Sequence, residues 1–319
     1  MILSASRRTD IPNYYSEWFL NRIKEGYLYV RNPMNQHQVS KIDISPEVVD
    51  CIVFWTKNPE SMLDKLEQLK GYKYYFQFTL TGYGKDIEPY LPHKREKMIP
   101  VFQQLSAKIG KEKVIWRYDP IIITDKYSED YHIKAFNEIA SALNGYCGRV
   151  VISFVDLYAK IKKSMNEIGT RDINTADILN FASRLACIAK SNNMQIETCA
   201  ERIDLSACGI KHSSCIDKEL IEQITGYTIK AEKDKNQRAE CGCIESVEIG
   251  AYNTCLNGCK YCYANDSNER IKANTAVYDV NSPLLCGRAT AEDRITERAV
   301  KSIKEHQTSL FDIMIKHDI

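Results

Sequence analysis

The run Ala251-Tyr252-Asn253-Thr254-Cys255-Leu256-Asn257-Gly258-Cys259-Lys260-Tyr261-Cys262-Tyr263-Ala264-Asn265 sets three cysteines at C-x3-C-x2-C spacing. Three thiolates so spaced can hold a metal–sulfur cube while leaving its fourth corner without a protein ligand. Iron–sulfur clusters are normally held by four cysteines, so a missing fourth predicts an open, reactive iron. The other reading is a zinc knuckle, whose fourth ligand would be a distant Cys or His. The choice bears on the fold: a cluster loop belongs to a sheet that it faces, whereas a knuckle is an appended finger.

Working outward, the chain of 319 residues is long enough to bury a substantial core as one large barrel or two smaller domains. Its 43 Lys+Arg nearly balance 42 Asp+Glu, which argues against a non-specific nucleic-acid coat but leaves room for a local basic groove. No apolar run is long enough to cross a bilayer. The opening Met1-Ile2-Leu3-Ser4-Ala5-Ser6-Arg7-Arg8-Thr9-Asp10 lacks the charged-then-apolar order of a signal peptide. These features predict a cytoplasmic protein without a membrane partner. There, twelve cysteines read as thiols or ligands rather than disulfides.

Upstream of the cysteines, short β-like runs alternate with helical stretches. Strands are predicted at Ile2–Ser6, Cys51–Trp55, Tyr74–Leu80, Val114–Tyr118, Val150–Val155 and Met194–Cys199. Between them, helices are predicted at Tyr14–Glu25, Glu60–Leu69, Lys94–Ile109, Ala135–Leu143 and Thr175–Ser191, with Arg7–Pro12 as a loop. Strands spaced by single helices predict βαβ units and a parallel sheet, and repeated right-handed crossovers curl it. The expected fold is α/β, a partial parallel (β/α) barrel of about six to seven strands over residues 1–200.

A barrel keeps its chemistry at the C-terminal ends of its strands. Those ends carry Arg7, Arg8 and Asp10; Lys57 and Asn58; Thr79; Arg117 and Asp119; Ser153 and Asp156; Glu197. Each alone is more often a cap or loop residue than a catalytic group; a shared polar mouth accounts for all of them at once. Residues 201–243 form an irregular segment with a short helix at Asp217–Ile224. Cys199, Cys215, Cys241 and Cys243 are candidate ligands of a second iron–sulfur cluster or a zinc, with His212 and Cys208 as substitutes. Alternatively they pack as reduced thiols. Residues 244–290 hold a strand at Glu245–Tyr252 and the three-cysteine loop. Residues 291–319 are predicted to form a helix at Thr296–His306 and a tail.

The aromatic Tyr261 ahead of the last cysteine completes C-x3-C-x-aromatic-C, which resembles the signature of radical S-adenosylmethionine (SAM) enzymes. The opening Ser4-Ala5-Ser6-Arg7-Arg8-Thr9-Asp10-Ile11-Pro12 and the C-terminal cysteine group resemble the DUF1848 family over nearly all of residues 1–311. The stretches Trp55-Thr56-Lys57, Phe78-Thr79-Leu80-Thr81, Ile87-Glu88-Pro89 and Tyr118-Asp119-Pro120-Ile121 are similar to barrel segments of the spore photoproduct lyase branch. The cluster loop of radical SAM enzymes follows the first barrel strand. Its late place here implies circular permutation, the Glu245–Tyr252 strand returning beside the strand at Ile2.

The resemblance implies a [4Fe–4S] cluster on Cys255, Cys259 and Cys262, with SAM at the open iron. It also implies a 5′-deoxyadenosyl radical and an electron donor such as flavodoxin or ferredoxin. On it, Tyr261 would lie against the adenine, Lys57 or Arg117 would pair with the SAM carboxylate, and Thr79 or Ser153 would bond the ribose. Arg7, Arg8, Asp10, Asn58, Asp119, Asp156 and Glu197, with Glu201 nearby, would bind substrate. Within the DUF1848 resemblance the favoured activity is queuine lyase, releasing 7-aminomethyl-7-deazaguanine. The alternatives are nucleic-acid lesion repair and a zinc-stabilised binding protein. Gln307-Thr308-Ser309-Leu310-Phe311 resembles a sliding-clamp docking peptide and favours repair.

Overall fold

The computed structural model describes residues 1–157 and 159–305. The strands, in chain order, are β1 (Ile2–Ala5), β2 (Tyr27–Asn32), β3 (Asn35–Asp43), β4 (Cys51–Thr56), β5 (Tyr74–Thr79), β6 (Val114–Ile121), β7 (Arg149–Phe154), β8 (Gln195–Cys199), β9 (Lys211–Ser213), β10 (Val247–Glu248) and β11 (Arg294–Arg298). Eight of them form one sheet in the order β10-β1-β4-β5-β6-β7-β8-β9, parallel throughout.

From β4 to β9 each step moves one place in the same direction, so right-handed crossovers put the helices on one face. Side chains that alternate along the strands then feed two cores. Leu3, Phe54, Phe76, Trp116 and Ile152 pack with Phe19, Phe102, Phe136 and Leu185 of the helices. Ile2, Val53, Tyr75, Ile115 and Val151 point the other way and pack on Ile216, Leu220, Ile221 and Ile244. Both faces are buried, which is why these strands read as continuous apolar runs rather than alternating ones. The irregular segment after β8 therefore fills the inside of the sheet.

The predicted helix Thr175–Ser191 is present with those bounds. The stretch Glu60–Leu69 is a 3-10 helix that buries Met62, Leu63, Leu66 and Leu69. The sheet has eight strands rather than six or seven, because β9 adds an edge beyond β8. The predicted strand Glu245–Tyr252 does lie beside β1, but only Val247 and Glu248 pair. Past them, Ile249 N still donates to the Ser4 carbonyl (3.1 Å), and Gly250 passes close against Ser6 as the chain enters the cysteine loop. The loop predicted at Arg7–Pro12 closes into a helical turn, Ile11–Tyr14, capped by Asp10.

A second sheet, β11-β3-β2, has no counterpart in the prediction. Where a helix was expected from Thr296, Arg294–Arg298 is instead a strand parallel to β3. The open edge of β3 offers unpaired backbone groups, and the β-branched Ile295 and Thr296 suit a strand. The peptide Gln307–Phe311 lies outside the described residues. Among the described residues no helix is long and apolar enough to cross a membrane.

Candidate active site

A cavity of about 730 Å³ opens at the C-terminal ends of β1 and β4 to β8. Its wall brings together Cys255, Cys259, Tyr261 and Cys262 from the loop after β10. It also holds Arg7, Arg8, Asp10, Lys57, Thr79, Arg117, Asp119, Ser153 and Asp156 from the strand ends. Cys199, Cys215, Cys241 and Cys243 line it as well. Asn58 and Glu197 do not.

The loop is docked by hydrogen bonds that cross the chain. Glu248 accepts from Ser4 Oγ (3.0 Å), Arg7 N (3.0 Å) and Gly250 N (2.9 Å), tying β10 to the turn after β1. A Cβ at Gly250 would lie 1.8 Å from Ser6 Oγ, so only glycine fits there. Buried Asp10 accepts from Asn13 N (3.2 Å), Thr56 Oγ1 (2.7 Å), Lys57 N (2.8 Å) and Asn257 Nδ2 (3.0 Å). It thereby clamps β1, β4 and the cysteine loop in one place. Tyr14 OH donates to Asn257 Oδ1 (2.9 Å), and Tyr15 OH to the Thr254 carbonyl (2.6 Å).

Lys57 Nζ donates to Glu88 Oε1 (2.8 Å) and to Tyr261 OH (2.6 Å), and lies 5.1 Å from the Tyr261 ring centroid. Tyr261 OH and Lys94 Nζ also donate to Glu88, whose other contact is Thr81 Oγ1 at 3.0 Å. On the far wall Arg117 binds Asp119 through Nε (2.8 Å) and donates from Nη1 to Cys215 Sγ (2.7 Å). Asp119 also accepts from Ser153 Oγ, and Asp156 pairs with Arg238. Two guanidiniums lie over the Trp55 ring, Arg7 at 5.1 Å and Arg117 at 5.6 Å.

Residues 2–264 match the family described as a domain of unknown function (DUF1848). The chain belongs to the DUF1848 family. A comparison with curated proteins found no match. The matched span of this DUF1848 chain contains the whole parallel sheet and both cysteine groups, and leaves out β11.

In the DUF1848 chain, burial alone would lower the Lys57 ammonium's pKa, but the Glu88 carboxylate, with Cys259, more than offsets it and holds the group charged. Burial alone would raise Glu88, and the two ammonium groups of Lys57 and Lys94 hold it well below the usual carboxylate range. Burial pushes all three loop thiols up, Cys259 to about 12, so as free groups they are protonated and metal binding would release protons. Among the described residues no three His, Cys, Asp or Glu side chains make a ready site for one bare ion. A four-iron cube instead spreads its thiolates over separate irons. Three thiols of one short loop on one cavity wall fit that donor set.

Several expected roles change. Asn58 accepts from Glu60 N (3.3 Å) and so caps the following turn. Glu197 is held by Arg149 (2.5 Å), which also binds Asp217 (2.6 Å), a structural ion-pair group beneath the cavity. Asp10 is a four-donor clamp whose oxygens are already engaged, not a free substrate ligand. Lys57 is taken by Glu88, and Arg117 by Asp119 and Cys215, so neither is a free partner for a carboxylate. Tyr261 lines the cavity with its hydroxyl held by Lys57 and Glu88. Cys208 contacts Ser183 (3.2 Å) and Leu179 O (3.4 Å) on the outer helix, and His212 Nε2 bonds Glu240 O (2.6 Å), which leaves both out of the inner cysteine group.

Sequence reasoning gave no role to Glu88, or to Tyr252, over which Arg8 (4.7 Å) and Lys160 (5.3 Å) lie. A carboxylate between two glycine- and proline-rich turns has no periodic signal. Only the arrival of Lys57, Lys94 and Tyr261 gives it one.

Proposed function

We propose that this DUF1848 protein is a radical SAM enzyme, a lyase acting on a modified nucleobase, with queuine as substrate and 7-aminomethyl-7-deazaguanine as product. The supporting observation is the convergence of Cys255, Cys259 and Cys262 with six parallel-strand ends on one cavity of small-molecule size. The three cysteines would hold a [4Fe–4S] cluster. Bound there, cluster and SAM would supply radical chemistry, a 5′-deoxyadenosyl radical able to take hydrogen from an unactivated carbon, with flavodoxin or ferredoxin as electron donor.

The chain's own residues bind and orient. The Lys57–Glu88–Tyr261 group fixes the loop between its second and third cysteines, so their thiols keep one geometry. Thr79 and Ser153 offer hydroxyls at the ends of β5 and β7 for a ribose. Because Asp119 and Asp156 are paired with arginines, base recognition falls to a donor: Arg8 suits the carbonyl edge of a deazaguanine. The apolar wall of Val155 and Ile161 keeps water from the radical.

The test is direct. Protein reconstituted anaerobically with iron and sulfide should be brown, cleave SAM under reductant and convert queuine to the deazaguanine, read by mass. The Cys259→Ala variant should lose the colour and the cleavage. SAM cleavage without the deazaguanine rejects the substrate and keeps the enzyme class. A colourless, zinc-containing protein rejects the class and leaves a binding protein.

A further inference from the structure

Four cysteines from separate stretches meet inside the sheet: Cys199 at the end of β8, Cys215 after β9, and Cys241 and Cys243 in the loop before β10. Cys199 Sγ lies 2.8 Å from Cys215 Sγ, and side-chain contacts continue from Cys215 to Cys243 and from Cys243 to Cys241. The Ile216 N–H donates to Cys243 Sγ at 3.3 Å, and Arg117 Nη1 donates to Cys215 Sγ at 2.7 Å. Donors aimed at sulfur suit a charged thiolate more than a packed thiol.

A second observation concerns charge. Arg7 is largely withdrawn from solvent, its Nη2 is buried without a hydrogen-bond partner, and Cys243, Cys215 and the Glu248 carboxylate are among the groups able to carry negative charge toward it. A buried guanidinium nitrogen without a partner is costly unless an anion lies nearby. Four thiolates around a doubly charged centre leave a dianion, and Arg7 and Arg117 stand beside these sulfurs to offset it.

We propose that Cys199, Cys215, Cys241 and Cys243 hold a second metal centre of the four-thiolate class, zinc or an iron–sulfur cluster, with Arg7 and Arg117 as its counter-charges. Among the described residues these side chains, as they stand, are not a ready site for one ion. Binding draws them onto a shared centre by rotation about their Cα–Cβ bonds. All four ligands come from protein, so the site is closed, and its role is to hold the inner segment against the sheet or to carry electrons, not to bind substrate. The proposal stands independently of the radical SAM reading.

Metal analysis separates the two centres. The full chain carrying Cys255→Ser, Cys259→Ser and Cys262→Ser together should, after anaerobic purification, retain one zinc, or the iron and sulfide of one cluster, per chain. Adding Cys215→Ser and Cys243→Ser should remove it. Should that variant fail to fold, the triple variant gives a second readout. Its four inner thiols should resist alkylation until a mercurial displaces the metal, then react together. A folded triple variant without metal, or with inner thiols alkylated at once, overturns the proposal. A wild-type protein with zinc here and no iron would reject the radical reading alone.

Discussion

Glu88 joins two lysines and a tyrosine that are 31, 6 and 173 residues away in sequence. Its side chain is fully enclosed, so Glu88→Gln leaves two ammonium groups without their shared carboxylate. Breaking a buried pair in this way costs about 3–5 kcal/mol, and chemical denaturation should register a loss of that order. Gly250 is the other residue that admits no substitute. Gly250→Ala must push the loop away from Ser6, with a loss of about 1–3 kcal/mol in the same assay and lower iron incorporation at Cys255, Cys259 and Cys262. The cysteines were legible because ligand spacing survives in sequence. Glu88, Trp55 and the clamp role of Asp10 were not, since each draws its meaning from groups that only folding brings near.

Among elements, the packing of β6 against the helix Glu129–Leu143 hides a titratable group. His132 is fully buried: Tyr118 OH donates to its Nδ1 (2.8 Å) and its Nε2–H donates to Ile122 O (3.0 Å), so the neutral ring is satisfied on both sides. Burial lowers its pKa from 6.5 to about 4. The unfolded chain therefore binds the extra proton between about pH 6.5 and 4, and this contribution to stability is present above that window and lost as pH falls through it. It amounts to about 3 kcal/mol in all. Denaturation midpoints for wild type and a His132→Gln variant should show the acid-side slope shrinking in the variant. An unchanged slope counts against a buried neutral ring. At this scale the apolar runs found the strands of the sheet from β1 to β8, but the hairpin β2–β3 and its partner β11 escaped. The side chains of β3 and β11 are largely exposed and those of β2 only half-buried, so the hydrophobic pattern that marks a buried strand is missing.

For the whole molecule the decisive feature is the inner filling. The segment after β8 has little regular structure, yet Ile216, Leu220 and Ile221 complete the second core against β1 and β4 to β7. Ile221→Ala should cost about 2–5 kcal/mol by denaturation, as for any core truncation, although it lies in a short helix between irregular loops. A loss well under 1 kcal/mol would mean that the segment only covers the sheet. The sequence by itself determined the alternation of strand and helix, the parallel sheet, and three thiols spaced for a cluster. Those features are local, set by periodicity and by ligand spacing within one loop. The fold, not the sequence, settled that only Val247 and Glu248 of β10 pair with β1, that the inner cysteines meet on the sheet face opposite the helices, and that Asp10, Lys57 and Arg117 serve the architecture of the cavity before any ligand. The reason is physical: each of those facts depends on which distant groups share a buried volume, and charge pairing there is settled by proximity in space.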